Sequence, residues 1–414
     1  MPSRAAAKEP RARRPPHLPI HRWAVAGAAA ILAVTAGLVA AEEFRIVADV
    51  VQRPEAEAFF AQPAGAAEGA PGTLVKSEVL AGVPFDARGW RLMYRSTDAH
   101  GQPVVVTGVL VVPLGPAPVT GRTVVSWGHP TTGSAPRCAP SAGLDPTFGI
   151  EGLRSLLDRG YAVVATDYAG MGTAGPDSYL VGETEGNNVL DAVRAAQHIR
   201  GAAASDRVVL WGHSQGGQAV LFAAQQAAAY APELQIEAVA TAAPAADLRA
   251  LMQTHLDDIS GVTIGSYAFS AFAKVYDEPV ERILTPQAVA LLPRMNALCL
   301  LTNIPELHAI GQPLVGHFMT ADPTTTQPWA GLLAENSAGA VPFSAPLFVA
   351  QGLSDELVRP ADTDRFVRHE SAIGIHVTEE RISFATHGTI AYLAVPAMIE
   401  WLDAHVGRGG DSLP

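Results

Sequence analysis

The amino-acid sequence predicts an α/β fold: a mostly parallel sheet with helices on both faces and an inserted, mostly helical cap. Three observations lead there. From residue 73 onward, short β-branched runs alternate with longer helical patterns, as a sheet built from strand–helix units requires. Several runs are apolar without a break, among them Val104-Val105-Val106 and Ala162-Val163-Val164-Ala165, which suits strands buried on both faces. The rhythm then stops for about a hundred residues between Pro244 and Pro346, too long for a loop in a compact domain.

The chain begins with an element of another kind. Residues 1–22 carry Arg4, Lys8, Arg11, Arg13, Arg14 and Arg22 against one acid, Glu9. An uncharged stretch runs from Trp23 to Ala41, ends on the small residues Val39-Ala40-Ala41, and is followed by Glu42 and Glu43. A positive flank, an apolar run and a small-residue cleavage site mark an export signal over 1–41. An uncleaved membrane anchor is the alternative, because the run nearly spans a bilayer. Its Ala and Gly content favours cleavage, and either reading puts the body outside the cytoplasm. Cys138 and Cys299 are then an even pair in an oxidising compartment, so a disulfide is expected, with two separate buried thiols as the alternative.

The remaining elements follow in order. Residues 42–72, rich in Ala, Pro and Gly, read as a lead-in segment. Strands are predicted at 73–80, 89–97, 103–112, 122–127, 161–166, 207–211, 236–241, 345–350 and 381–386. Helices are predicted at 149–159, 186–200, 215–230 and 389–406. The second of these shows helical spacing through Val189, Val193 and Ala196, with Gly201 as its stop signal. The core therefore occupies 73–246 and 342–407. The cap occupies 247–341, with helical patterns at 247–258, 265–275 and 286–299 and then a tail broken by Pro305, Pro313, Pro323 and Pro328.

Composition narrows the function. Of 414 residues, 48% are hydrophobic and 16% charged, so the chain cannot be mainly disordered. With 28 Lys+Arg against 40 Asp+Glu the formal net charge is −12, which repels phosphate backbones and argues against a nucleic-acid partner. Residues 1–41 hold six basic and one acidic residue, so without them 22 basic face 39 acidic residues, a formal charge of −17. Two cysteines build neither a disulfide scaffold nor a metal site.

The sharpest local feature is Gly212-His213-Ser214-Gln215-Gly216, entered by the β-branched run Arg207–Trp211 and left by a helical pattern. A serine at such a strand-to-helix turn is exposed as a nucleophile, with the helix N-terminus aimed at developing negative charge. It needs a base and an orienting acid, which in this topology follow it in the order acid, then histidine. Pro346–Asp355 gives a buried strand, a Gly turn and Asp355; Asp362 and Asp364 fall in the next helical pattern. His387 follows the last predicted strand and opens the last helix, whereas position eliminates most of the other histidines, His369 and His376 because they precede that strand, and His213 reads as packing. Ser214, Asp355 and His387 are thus the candidate triad. The oxyanion needs two donors. One is the N–H of Gln215; the other belongs to His129, after Val124–Gly128, or to Asp167 or Tyr168, after the following strand. Spacing alone does not separate these two loops. No cofactor or metal is needed.

Trp127-Gly128-His129-Pro130, Thr166-Asp167-Tyr168 with Gly170 and Gly172, Gly186–Ala195, Gly212–Gly217, Ala243–Leu248 and the Cys138/Cys299 pair together resemble the secretory lipase family of α/β-hydrolases, in its fungal lipase A-like and bacterial branches. The resemblance runs from about residue 75 to 405. It implies the α/β-hydrolase fold, a helical cap over the active site, hydrolysis of acyl or lipid esters with Ser214, Asp355 and His387 on the matching positions, and a second oxyanion donor at Asp167. Acyl transfer or peptide cleavage by the same triad, and a non-catalytic binding protein of this fold, are the rival readings.

Overall fold

The computed structural model describes residues 58–406 apart from 81, 82 and 85; the predicted export signal over 1–41 and the first part of the lead-in segment lie outside the described residues. The strands are β1 (Leu74–Leu80), β2 (Ala87–Thr97), β3 (Pro103–Pro113), β4 (Arg122–Gly128), β5 (Ala162–Thr166), β6 (Ala204–His213), β7 (Gln235–Ala242), β8 (Leu347–Gly352) and β9 (Val377–Ile382). They form one sheet in the order β1-β2-β3-β5-β4-β6-β7-β8-β9. Pairing is antiparallel from β1 through β3 to β5 and parallel from β5 to β9.

The unbroken apolar runs are explained by the two faces of this sheet. Side chains alternate along a strand, so Val125, Trp127, Val163, Val209 and Trp211 join one buried cluster while Val124, Val164, Val208 and Leu210 join the other. Helices α1 (Leu153–Leu157) and α10 (Ile390–His405) cover the first face, and α2 (Gly182–Gln197) and α3 (Gln215–Tyr230) the second. The mainly parallel sheet with helices on both faces is the predicted fold.

Between β7 and β8 lie α4 (Leu248–His255), α5 (Ile259–Tyr276), α6 (Pro286–Asn296), α7 (Leu300–Gly311) and α8 (Trp329–Glu335). Their apolar side chains, including Tyr267, Phe269, Phe272 and Trp329, belong to the same cluster as the first sheet face. Helices α7 and α8 fall where the prolines suggested none. Pro305 sits inside α7, where Asn303 leaves helical geometry at φ −123°, and Pro328 immediately precedes α8, near a helix start where proline is tolerated. A further helix, α9 (Pro360–Ala372), links β8 to β9.

Several boundaries differ from expectation. Strand β9 spans Val377–Ile382 rather than 381–386. It is an edge strand, hydrogen-bonded only to β8, and its Val-Thr-Glu-Glu-Arg-Ile sequence carries little apolar signal. Phe384, which suggested the later strand, stands 73% exposed in the following turn. Helix α1 is also shorter than its predicted 149–159 span.

The expected disulfide is present between Cys138 and Cys299, with Cα atoms 5.3 Å apart. It joins the connection after β4 to the residue preceding α7. The N–H of Leu300 donates to the Thr132 carbonyl (2.8 Å) and Arg137 Nε donates to the Ala297 carbonyl (2.8 Å), so the seam is tied three times.

Candidate active site

The strand–turn–helix from β6 to α3 places Ser214 in a backbone conformation that only close packing sustains. Its φ is 56° and its ψ −116°, a left-handed region costly to a residue with a Cβ. Its N–H donates to the Ala242 carbonyl and its carbonyl accepts from Ala245, both at 3.0 Å, which fixes the turn against β7. The flanking glycines are required by close approach: a Cβ on Gly212 would lie 2.1 Å from the Gly216 carbonyl oxygen, and one on Gly216 would lie 1.9 Å from that of Gly128. Helix α3 thus begins directly against the ends of β4 and β6.

Asp355 follows β8 and is held from behind. Its Oδ1 accepts from the N–H groups of Leu357 and Val358, both at 2.9 Å, which leaves Oδ2 for a different partner. That partner is His387, whose Nδ1–H donates to it at 2.8 Å. The loops after β8 and β9 are sewn together, with Leu353 N–H on the Ile382 carbonyl and Ser354 N–H on the Ala385 carbonyl, each at 3.0 Å. Ser214 Oγ lies 2.8 Å from His387 Nε2. Ser214, His387 and Asp355, chosen from the sequence by motif, order and local context, therefore form a continuous hydrogen-bonded line.

The electrostatics suit a base. Burial lowers the affinity of His387 for a proton more than the bond and charge of Asp355 raise it, and the neighbouring His213 lowers it further. The imidazole is consequently neutral at lower pH than an ordinary histidine, and it keeps 18% of its side chain exposed.

The candidate oxyanion donors fare differently. Gln215 opens α3, and its side-chain amide donates to Glu185 Oε1 at 2.6 Å. Burial pushes the pKa of Glu185 well up. The main chain of His129 lies against α3, because a Cβ on Gly216 would come within 2.8 Å of the His129 nitrogen. The Tyr168 hydroxyl donates to the His129 carbonyl at 3.2 Å, and the two rings pack with centroids 4.5 Å apart.

The Asp167 expectation is corrected. Its N–H donates to the Thr107 carbonyl (2.8 Å) within the sheet and has no second hydrogen for an oxyanion. Its buried carboxylate accepts from Thr107 Oγ1 (2.6 Å), the Ser141 N–H (2.9 Å) and the Ser141 hydroxyl. Asp167 fastens the connection after β4 to the sheet.

Sequence reasoning missed the residues behind the triad. Buried Glu151, just before α1, faces the equally buried His213. His255 of α4 bonds Asp258 at 2.6 Å through Nδ1 and donates from Nε2 to the Leu357 carbonyl at 2.8 Å, in the loop that carries Asp355. No spacing rule links these residues, which lie far apart in the chain. Among the cap leucines, Leu292 and Leu298 are core, whereas Leu301 is exposed. Leu353 and Phe384, on the two sewn loops beside Asp355 and His387, are exposed as well.

Similarity to known proteins runs along most of the chain. The chain is 24% identical over 381 residues to the "Probable inactive lipase" of Mycobacterium tuberculosis, an alignment covering 86% of this chain and 83% of the other. It is 25% identical to Lipase 6 of Candida albicans, covering 85% and 81%. Its structure is similar to Candida antarctica lipase A in the closed state (TM-score 0.69, 20% identity, 87% and 89% covered). It is similar as well to the rice cell wall degrading esterase LipA of Xanthomonas oryzae (TM-score 0.67, 22% identity, 83% and 100% covered). The Secretory lipase family model matches residues 149–408, more than half of the chain. This α/β-hydrolase chain belongs to the secretory lipase family, a family and fold of carboxylic-ester hydrolases.

Proposed function

We propose that the chain is an exported serine hydrolase that cleaves acyl esters through Ser214, His387 and Asp355. The reading is carried by the two 2.8 Å contacts that join the three side chains. His387 Nε2 takes the Ser214 proton as Oγ attacks the ester carbonyl, and Asp355 stabilises the imidazolium that forms. The oxyanion meets the N–H groups of Gln215 and His129 at the start of α3, where the helix dipole adds to the field. Collapse of the tetrahedral intermediate expels the alcohol with the proton from His387. Water activated by the same imidazole then hydrolyses the acyl-enzyme. Leu353 and Phe384 offer an apolar rim suited to an acyl chain. The export signal over 1–41 and the family's secretory character support a site outside the cytoplasm; among the described residues no helix is long and apolar enough to cross a membrane.

A relative described as inactive makes a non-catalytic protein of this fold the second reading. A fluorophosphonate probe separates the two. Stoichiometric labelling at Ser214, with turnover of p-nitrophenyl esters, is the expected result; an unlabelled, inert protein would leave only the binding reading. Turnover across a series from acetyl to palmitoyl esters, below and above the solubility limit, then distinguishes esterase from lipase.

A further inference from the structure

We propose that His213 and Glu151 form a second acid–imidazole pair that grips the main-chain carbonyl of His387 and so sets the position of the catalytic imidazole. The inference rests on His387 acting as the base. His213, the second residue of the Gly212–Gly216 turn, read as packing, but its ring is 3% exposed and polar-paired at both nitrogens. Nδ1 lies 3.2 Å from the Glu151 carboxyl and Nε2 lies 3.0 Å from the His387 carbonyl oxygen. The rings of His213 and His387 are 5.1 Å apart between centroids. Glu151 is itself fixed, since its carbonyl accepts from Trp211 Nε1 at 2.8 Å, on the strand that delivers Ser214.

The proton count follows from the acceptors. A carbonyl oxygen only accepts, and so does an ionised carboxylate. A neutral imidazole has a single N–H and serves one of them. To hold both contacts the pair needs one proton between Nδ1 and Glu151 and a second on Nε2. When the first is lost, the remaining hydrogen goes to the stronger, charged acceptor, Glu151. Nε2 then turns a lone pair on the His387 carbonyl and the grip fails. The titratable groups facing His213 are Glu151, Asp355 and His387. Burial opposes its charge, but Glu151 and the His387 carbonyl outweigh that, and its pKa is raised above the ordinary value. His387 is shifted the opposite way. Between the two lies a pH window in which the base is free and its loop is held, so loss of the pair's proton forms the alkaline limit of catalysis.

The test is the pH profile of kcat and kcat/KM for His213→Gln, His213→Phe and Glu151→Gln. Gln keeps an N–H for the carbonyl and does not titrate, so His213→Gln should retain most of kcat and lose the alkaline limb. His213→Phe fills the space without a donor and should lower kcat by about ten- to a hundredfold, with KM little changed. Glu151→Gln supplies an amide N–H for Nδ1, so the neutral ring keeps its hydrogen on Nε2 for the carbonyl and the alkaline limb should be lost here too. A His213→Phe enzyme with wild-type kcat, or a His213→Gln enzyme with the wild-type alkaline limb, overturns the inference. If the variants fail to fold, nitrogen NMR of the wild type decides: Nε2 of His213 must carry hydrogen at neutral pH and lose it as activity falls. Nε2 bare at neutral pH overturns the inference. Fluorophosphonate labelling of the wild type is the control: an unlabelled, inactive wild type sinks the proposed function and this inference together, whereas an active wild type with indifferent variants sinks the inference alone.

Discussion

At Ser214 two roles meet in one residue, because the backbone that exposes the hydroxyl is also strained. Replacement by Ala removes the proposed nucleophile and keeps the Cβ at φ 56°, whereas Gly removes both. Both variants should lose about a millionfold in kcat. Ser214→Gly should nevertheless unfold at a higher denaturant midpoint than Ser214→Ala, by about 1 kcal/mol, the cost of a left-handed Cβ. Equal midpoints would mean the turn is unstrained. Asp355→Asn should cost about ten-thousandfold, since the amide favours the wrong imidazole tautomer. For His387 the sign of the pH effect is fixed: its lowered pKa leaves it neutral where a free histidine is charged. The acid limb of kcat/KM is therefore expected below 6.5, the ordinary histidine value, and a limb above it would contradict the buried geometry.

Among the elements, the seam between the connection after β4 and the segment before α7 carries the most constraint per residue. The disulfide closes a loop with a sequence separation of 161 residues, for which chain entropy suggests about 5 kcal/mol. Replacing Cys138 and Cys299 with Ser should lower unfolding free energy by roughly 2–5 kcal/mol, read from denaturant titration with and without reductant on the parent. Across the fold, the buried parallel strands were legible because a strand covered on both faces must be apolar throughout. Edge strand β9 was not, since a strand with one partner and a half-exposed face carries Glu379, Glu380 and Arg381 without penalty. Helices α7 and α8 were hidden by Pro305 and Pro328, which interrupt a pattern in sequence although the chain accommodates one with a kink and the other near a helix start. The candidate triad was legible because the order of its residues follows topology. Asp167 was misread because sequence spacing gives a residue's place on a loop but not whether its N–H is already committed to the sheet. Glu151 and His255 left no trace, as pairing across distant segments has no sequence period.

For the whole molecule, the formal charge depends on whether residues 1–41 are kept. The −12 of the full chain averages a basic start with an acidic remainder of formal charge −17. Protein recovered outside the cell should therefore focus below 5.5, the isoelectric point of the full sequence; focusing at that value would mean the first 41 residues are retained. The insertion between β7 and β8 shares its apolar core with one sheet face, so its helices rest on the core and are not suspended above it.

The triple tie at the seam has a kinematic consequence. Residues 132–138 and 297–300 form one mechanical body, since a disulfide and two hydrogen bonds remove the freedoms by which they could slide. His129, three residues upstream of Thr132, is coupled to that body through the chain. The break in helical geometry at Asn303, just beyond the tie, marks the first place where α7 can bend. A bend at Asn303 would therefore leave the seam in place and displace only the part of α7 beyond it.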